Sequence, residues 1–354
     1  METIVYYVSD SGFGHITRSL AIIKHMIKNS DYAIELICGE SQIDYSRVFL
    51  HKYLDRVNFS VLRTEVGTAF KENTFEYDIE MTSKQIKEYF NILPVFVEKE
   101  IQRLESVKVA LVITDITILG IKVAKQLNIP VVAISNYTFY SRFKKIGIDQ
   151  ALIQPFCEAI NSVDCFYEFA YSDDMSEFTC PKENVGVVAR RVNNLASSDF
   201  KHRYWPSAYI SVGQTANREV IHLDFPGGHI YTTGKTHVEG NARILKLPAR
   251  IGHSQDYISA SSIAVIKPGW SQVVECLIAG IPFAVINFNP VEDAEIIDKL
   301  LKENRCLVVD EKELDNLEIN YLNIRAASLF TEKVHNSAED IAKLFIHRIG
   351  VAVK

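Results

Sequence analysis

The residues best suited to chemistry near the start of the sequence are a histidine and the two glycines before it. Residues 9–15 read Ser-Asp-Ser-Gly-Phe-Gly-His, between a β-branched run and a helical pattern. Gly12 and Gly14 permit a tight turn, and the helix N-terminus that follows offers N–H groups and a positive dipole end to an anion. His15 falls outside the apolar stripe of that helix. Its imidazole is therefore expected at the carboxyl end of the sheet, where open α/β folds bind ligands. A polar residue that is satisfied locally at a helix start is the alternative.

The same loop makes a poor dinucleotide fingerprint. It has Thr17 where the third glycine would stand, and Glu35 alone is a weak candidate for a ribose ligand. A nicotinamide cofactor is therefore not expected.

A second loop follows a strand pattern in the latter half of the chain. Residues 213–217 read Gly-Gln-Thr-Ala-Asn, and the pattern predicts a short helix that continues through His222. Amide and hydroxyl groups at Gln214 and Thr215 could cradle a phosphate. An ordinary turn between a strand and a helix is the alternative.

The third loop lies between a strand pattern and a helix that carries a glutamate. Residues 267–272 read Lys-Pro-Gly-Trp-Ser-Gln, and Glu275 follows one turn later. A carboxylate at this place can accept two hydrogen bonds from the vicinal hydroxyls of a ribose. A solvated helical glutamate is the alternative. The packed stripe of the helix is predicted at Val274, Leu277 and Ile278, with Glu275, Gln272 and Ala279 on the other side.

Short β-branched runs that alternate with helical periodicity position these loops, which predicts parallel sheets covered by helices. The pattern restarts near residue 190, and 354 residues favour two domains. We predict an N-terminal acceptor domain over residues 1–190, a donor domain over 191–335, and a C-terminal helix within 336–354 that packs back on the first domain. Residues 58–99 are expected to form loops and helices. Strands are predicted at 4–8, 33–38, 109–114, 131–135, 208–212, 230–233, 263–266, 283–286 and 306–309.

Composition excludes several classes of function. A net charge of −6 offers no basic footprint for nucleic acid. No apolar run reaches the length of a transmembrane segment, although peripheral membrane contact stays open. The first residues lack the basic start of a secretion signal, which favours a cytoplasmic protein. The six cysteines form no C-x-x-C pair and are expected to be buried free thiols.

With these residues in view, the chain resembles the GT-B glycosyltransferases, in particular the inverting kind. That group includes plant secondary-metabolite glucosyltransferases and the bacterial lipid-linked N-acetylglucosaminyltransferase. Residues 6–8, 12–18, 188–191 and 269–280 carry the likeness, and they are also similar to the glycosyltransferase-like N-terminal region of plant L-arabinokinase. The resemblance implies an α/β GT-B fold, with two Rossmann-like domains that face each other across a cleft.

The resemblance also implies roles for individual residues. His15 would be the base that activates the acceptor hydroxyl, held by Asp115, while Glu275 would bind the donor ribose and residues 269–271 would approach the donor diphosphate. Arg18 and Asn136 are assigned to the acceptor side. The donor-side set is Gly14, Gly213, Gln214, Thr215, Lys267, Gly269, Trp270, Ser271, Gln272, Glu275, Glu292 and Asp293.

The sequence departs from the plant pattern at three places. Ile-Lys-Pro-Gly-Trp-Ser stands where plant members have His-Cys-Gly-Trp-Asn-Ser, so Lys267 replaces a histidine near the donor phosphates. No tryptophan in residues 247–254 matches the one that stacks on the donor base. An acid–glutamine pair near the sugar becomes Glu292-Asp293, so neither base nor sugar is assigned.

The expected activity is transfer of a hexosyl or pentosyl group from a nucleoside diphosphate sugar, such as a UDP-sugar, to an unidentified acceptor, with inversion. The nucleotide-sugar is a co-substrate, and no cofactor or metal is expected, because helix dipoles and Lys267 can offset the diphosphate charge. Asp173-Asp174 is interpreted as a solvated turn. The alternatives are a nucleotide-sugar hydrolase or epimerase on the same fold, and a nucleotide-sugar-binding module without turnover.

Overall fold

The computed structural model describes residues 2–71, 76–212, 220–233, 237–248, 252–287 and 290–352, with backbone alone for 290–293 and 351–352. The chain divides into two compact units. The first comprises the described residues of 1–188 and 336–354, and the second those of 189–335. Each unit is built on a parallel sheet, as the alternating sequence pattern predicts.

The first unit contains a seven-stranded sheet with the order β3-β2-β1-β4-β5-β6-β7, in which the described neighbours pair in parallel. The chain winds from β1 to one edge and then returns to β4 on the other side of β1. In chain order the elements are β1 (Thr3–Val8), α1 (Gly14–Asn29), β2 (Ala33–Cys38), α2 (Glu40–Phe49), β3 (Val57–Val61), α3 (Ile79–Leu104), β4 (Val109–Asp115), α4 (Ile118–Leu127), β5 (Val131–Ser135), α5 (Phe139–Lys145), α6 (Gln150–Asn161), β6 (Cys165–Phe169) and β7 (Lys182–Val185), with a short 3-10 helix at His51–Tyr53.

The second unit has a six-stranded sheet with the order β12-β10-β8-β13-β14-β15 and a smaller sheet with the order β11-β9-β16. Its described strand pairs are also parallel. The elements are α7 (Asn194–Tyr204), β8 (Ser207–Ser211), β9 (Ile221–Asp224), β10 (His229–Thr232), β11 (Val238–Gly240), β12 (Arg243–Lys246), α8 (Ser254–Ala260), β13 (Ile263–Ile266), α9 (Trp270–Ala279), β14 (Phe283–Asn287), α10 (Pro290–Lys302), β15 (Leu307–Asp310), β16 (Leu317–Glu318) and α11 (Ile319–Ala326), with a 3-10 helix at Glu311–Asp315.

The last helix, α12 (Ala338–Ala352), belongs to the first unit, where it packs against α1. Its Ile341, Phe345 and Ile349 are buried, and their spacing places them on one face of the helix. Phe345 meets the ring of Tyr167 on β6 edge to face, with ring centroids 5.2 Å apart. Arg348 donates to the same tyrosine hydroxyl at 3.0 Å.

The central strands of each sheet are buried on both faces, because helices cover both sides. β1 and β5 are buried along their whole length, and so are β8 and β13. Strands in this environment read as continuous apolar runs. That explains why the sequence prediction for residues 131–135 and 263–266 matches the observed strands.

Three local predictions need correction. Residues 58–99 contain loops and most of the long helix α3, as predicted, but they also contain most of strand β3, which was not predicted. The helix predicted to run through His222 is absent there, because residues 221–224 form strand β9. On α9, Glu275 is buried while Ile278 is only half-buried, so the predicted stripe is rotated. The helix is covered on more than one face, and periodicity then loses its contrast.

The structure also bears on the composition arguments. All six cysteines are buried and free, as expected. Within the described residues, no helix combines the length and the apolar character needed to cross a membrane.

Candidate active site

The switch point of the first sheet is the place where a ligand site is expected, because the strand order reverses between β1 and β4. Val8 at the end of β1 pairs with Asp115 at the end of β4. The loop that carries Gly12 leaves the sheet at this point, and Gly12 adopts φ +83°, a conformation that strongly favours glycine. The side-chain amide of Gln42 donates to the carbonyls of Asp10 and Gly12 at 2.8 and 3.1 Å and holds the loop in place.

His15, in the first turn of α1, lies at the centre of a buried network and is 5% exposed. Its Nδ1 is 2.9 Å from Oδ1 of Asp115, and its Nε2 is 2.9 Å from the hydroxyl of Tyr137. The structure therefore brings the predicted base and its predicted partner into direct contact.

Asp115 is fully buried and ionised. Arg18 donates to both of its oxygens, from Nη2 at 2.6 Å and from Nε at 2.8 Å, and Ser19 Oγ donates at 3.1 Å. Burial alone would raise the pKa of this carboxyl, but the Arg18 guanidinium and His15 hold it at about 2. The carboxylate keeps its charge across the physiological range.

Arg18 neutralises this buried charge from the same helix that carries His15. Its side chain is 3% exposed, and it also donates to Ser135 Oγ at 3.0 Å and to Oδ1 of Asn136. The two residues assigned to the acceptor side by sequence thus contact each other, with the guanidinium directed at Asp115. Contact of either with an acceptor stays a prediction.

Hydrogen bonding assigns the tautomer of His15. Asp115 is an acceptor only when ionised. Arg18 Nη2 also lies 2.8 Å from Nδ1, but its two hydrogens are donated to Asp115 Oδ1 and Ser135 Oγ. We therefore assign the proton to Nδ1, and Nε2 accepts from the Tyr137 hydroxyl. Burial lowers the pKa of His15, the charge of Arg18 lowers it further, and Asp115 opposes both. At neutral pH the imidazole is therefore neutral, which is the form a general base requires.

Tyr137 is the member of the site that the sequence analysis did not identify. It lies two residues beyond β5, next to the carboxyl end of β4, and is 7% exposed. The guanidinium of Arg142 lies over its ring at 3.8 Å and donates to its hydroxyl at 3.2 Å. Its position just past a central parallel strand is the one sequence signal that could have indicated it.

The lowered pKa of His15 predicts a pH-dependent stability that a non-titrating variant should lack. Below the ordinary histidine pKa of about 6.5, the unfolded chain binds a proton that folded His15 does not, so the free energy of unfolding should fall as pH falls. We expect wild type to lose more stability than His15→Gln between pH 7 and pH 5, by up to about 1.4 kcal/mol per pH unit. Urea unfolding at several pH values measures this.

Equal losses in the two proteins would contradict a buried neutral His15. The lowered pKa of Asp115 acts in a different window: its contribution is present above about pH 4 and is lost as pH falls toward 2. Measurements at pH 5 and above therefore exclude the contribution of Asp115, and the comparison with His15→Gln cancels that of the carboxyls whose pKa burial raises, such as Glu65.

In the second unit, the predicted ribose ligand Glu275 forms a buried ion pair with Arg190. Arg190 Nη2 lies 2.5 Å from Oε1 of Glu275 and its Nε 3.2 Å from the same atom. The guanidinium also donates to the Gly252 carbonyl at 2.9 Å and to Ser254 Oγ at 2.7 Å. A solvated helical glutamate is thus excluded, and Arg190 is a second residue whose part the sequence analysis missed.

The loop before Glu275 lies at the switch point of the second sheet, between β8 and β13. The backbone N–H of Lys267 donates to the Ser211 carbonyl at 3.0 Å, which joins the ends of these two strands. Trp270, the first residue of α9, is buried. Four other predicted donor-side residues of the loop and the first turn of α9 are half-buried: Lys267, Gly269, Ser271 and Gln272.

The remaining predicted donor-side residues lie elsewhere in the chain. Gly213, Gln214 and Thr215 lie outside the described residues, and so do the side chains of Glu292 and Asp293 on α10. Gly14 is the first residue of α1, next to His15.

The helices that follow the two glycine loops begin without a side-chain cap. In the described structure neither Phe13, before α1, nor Gly269, before α9, caps the first turn with a side chain. Thr117 and Thr138 cap α4 and α5, whereas α2, α8 and α11 also begin without a side-chain cap. An N-terminus of this kind suits an anionic ligand that takes the place of the cap.

No cluster of three or more potential metal-ligating side chains is present among the described residues. Asp173 pairs with Lys145 at 2.9 Å, and Asp174 accepts from the backbone and hydroxyl of Ser176 at 2.8 and 2.9 Å. These two carboxylates therefore have local partners.

The chain is similar to known proteins in both sequence and fold. Residues 2–152 match the family described as glycosyl transferase family 1. Over 99% of its length the chain is similar to Arabidopsis thaliana UGT89C1 complexed with UDP, with a TM-score of 0.63, 10% identity and 100% of that chain covered. The chain has the GT-B fold. A second GT-B neighbour is Phytolacca americana UGT2 complexed with UDP-2fluoro-glucose and pterostilbene, at TM-score 0.59 and 12% identity, covering 99% of this chain and 94% of that one.

This GT-B protein also has a curated relative. It is 20% identical over 324 residues to L-arabinokinase of Arabidopsis thaliana, a match that covers 85% of this chain and 30% of that protein. The chain therefore spans less than a third of the length of that relative. The matched family region, residues 2–152, includes His15, Arg18, Asp115 and Tyr137.

Proposed function

We propose that this GT-B protein transfers a sugar from a nucleoside diphosphate sugar to an acceptor hydroxyl, with inversion and without a metal. The observation that carries the proposal is the contact between a neutral, buried His15 and the ionised Asp115 at the switch point of the first sheet. The family match and the fold support glycosyl transfer as the reaction class.

In the proposed reaction the acceptor oxygen attacks the anomeric carbon from the face opposite the diphosphate. The new carbon–oxygen bond forms as the bond to the diphosphate oxygen breaks, and the acceptor proton passes to His15. Asp115 stabilises the imidazolium that results and fixes the ring through Nδ1. Arg18 limits this stabilisation, because its charge already neutralises Asp115.

The donor is assigned mainly to residues of the second unit. The N-terminus of α9 would receive the diphosphate, with Lys267 as a nearby cation, and Glu275 would accept hydrogen bonds from the ribose. Arg190 occupies Oε1 of Glu275, so ribose binding would use the other carboxylate oxygen or share the first. A UDP-sugar is the proposed donor, in keeping with the nucleotides named for the two structural neighbours.

A panel of nucleotide-sugars in a thermal unfolding assay tests the proposal. One UDP-sugar should stabilise the folded protein, by about 2.7 kcal/mol at a concentration one hundred times its Kd. The phosphate of the same sugar, which lacks the nucleotide, should not stabilise it. Glu275→Gln keeps the side-chain shape but removes the negative charge. This variant should show a smaller stabilisation by the same UDP-sugar.

Turnover then separates transfer from its alternatives. Sugar transfer requires an added acceptor, whereas a hydrolase releases free sugar without one, an epimerase converts the donor into its isomer, and a binding module leaves the donor intact. The absence of any shift with the whole panel would contradict the proposal outright.

A further inference from the structure

We propose that Tyr137 receives the acceptor proton and relays it to His15, so that the phenol rather than the imidazole touches the acceptor. This inference rests on the proposed function and adds a catalytic residue to it. The observation behind it is that Nε2, the nitrogen a base would use, is already hydrogen-bonded to the Tyr137 hydroxyl at 2.9 Å.

The other ring nitrogen, Nδ1, already has partners and is not accessible to an acceptor. Nδ1 faces Asp115 at 2.9 Å and Arg18 Nη2 at 2.8 Å, both deeply buried. A proton can therefore enter the imidazole only at Nε2. An acceptor must either displace Tyr137 from that nitrogen or deliver its proton through the phenol.

Displacement is disfavoured because the tyrosine ring is fixed on several sides. Arg142 stacks on one face at 3.8 Å. Phe139 and His15 make edge contacts with ring centroids 5.8 and 5.5 Å away. Thr138 caps α5 by accepting from the backbone of Ser141 at 3.0 Å, which fixes the chain direction immediately after Tyr137.

In the relay Tyr137 gives up one proton and receives another, so its charge does not change. The phenolic proton moves to Nε2 of His15 while the acceptor hydroxyl gives its proton to the phenolic oxygen. Tyr137 is neutral before and after, and His15 becomes the imidazolium. The acceptor oxygen bonds to the anomeric carbon, the diphosphate departs with its oxygen, and the imidazolium later releases the proton to solvent.

Arg142 stabilises the negative charge that develops on the phenolic oxygen during the relay. Its Nη1 donates to the phenolic oxygen at 3.2 Å, and a cation at this distance favours negative charge on that oxygen. A phenolic oxygen has two lone pairs, so it can accept from Arg142 and from an acceptor hydroxyl together.

The first test compares Tyr137→Phe with Tyr140→Phe, which removes a buried hydroxyl on α5 that accepts from Gln150 at 2.7 Å. In single-turnover transfer at saturating donor, Tyr137→Phe should be slower by about 10²-fold or more, the usual contribution of a positioned proton-transfer group. Tyr140→Phe should stay close to wild type. A Tyr137→Phe rate equal to or above wild type would overturn the relay and identify the hydroxyl as a cap that moves aside.

The second test needs no acceptor. Nitrogen-15 NMR of the imidazole, assigned with His15→Gln, should show Nδ1 protonated and Nε2 unprotonated at neutral pH, with the Nε2 resonance shifted in Tyr137→Phe. A protonated Nε2 would overturn the relay, because the phenol would then accept rather than donate.

The two proposals fail in different ways. Transfer that is lost in His15→Ala but intact in Tyr137→Phe would overturn the relay alone. A wild-type protein that transfers sugar from no panel donor would overturn the proposed function, and the relay with it.

Discussion

Replacement of His15 by alanine is expected to slow sugar transfer by about 10²–10⁴-fold, the usual contribution of a positioned proton acceptor. The affinity for the donor should barely change, because all the residues proposed for donor binding except Gly14 belong to the second unit. An effect on the rate without an effect on binding marks an interaction made in the transition state. Single-turnover transfer at saturating donor, with calorimetry for donor binding, measures both quantities.

Asp115→Asn is the companion variant and should act in the same direction, but more mildly, because it keeps the shape and loses the charge that stabilises the imidazolium. The structure adds a second consequence. Arg18 would remain buried without its counter-ion, so the variant must be compared at equal folded fraction. Wild-type turnover in both variants would show that His15 and Asp115 are not the proton-transfer pair.

Replacement of Glu275 by alanine is expected to have two large effects at once. Donor affinity should fall about tenfold or more, since a hydrogen bond to a charged group contributes about 1.5–3 kcal/mol. The free energy of unfolding should also fall, by about 3–5 kcal/mol, because the Arg190 charge would remain buried without its carboxylate counter-ion. Calorimetry and urea unfolding measure the two effects separately.

The double variant Arg190→Ala/Glu275→Ala separates stability from binding. It removes both charges, so it should recover part of the stability lost in Glu275→Ala, but it should not recover donor affinity. Unchanged affinity in Glu275→Ala for the best donor would remove this residue from the donor site and leave the ion pair with a structural role alone.

The core of each sheet was predictable because its strands are short, apolar and separated by helical periodicity. Residues 131–135 and 263–266 illustrate this, since both are strands buried on two faces. β7 carries no comparable signal, because it is a largely exposed strand with the sequence Lys-Glu-Asn-Val. Whether a segment forms a strand depends on its cross-strand neighbours and its burial, and the local sequence of an exposed strand gives information about neither.

The glycine loops and His15 were identifiable because their chemistry is local. A turn with positive φ at Gly12, a helix that begins within two residues and a histidine in its first turn all lie within one short stretch of sequence. Asp115 was identifiable only through a family resemblance, since 100 positions separate it from His15.

The sequence by itself determined the two parallel α/β units, the loops at their switch points and the identity of the residues that can titrate there. Tertiary structure alone decided how those residues pair. Arg18 with Asp115, Tyr137 with His15, and Arg190 with Glu275 are contacts between groups far apart in sequence, or aligned only by helix and strand packing. Charge and hydrogen-bond strength depend on burial and on distances of a few ångströms. No spacing along the chain contains that information.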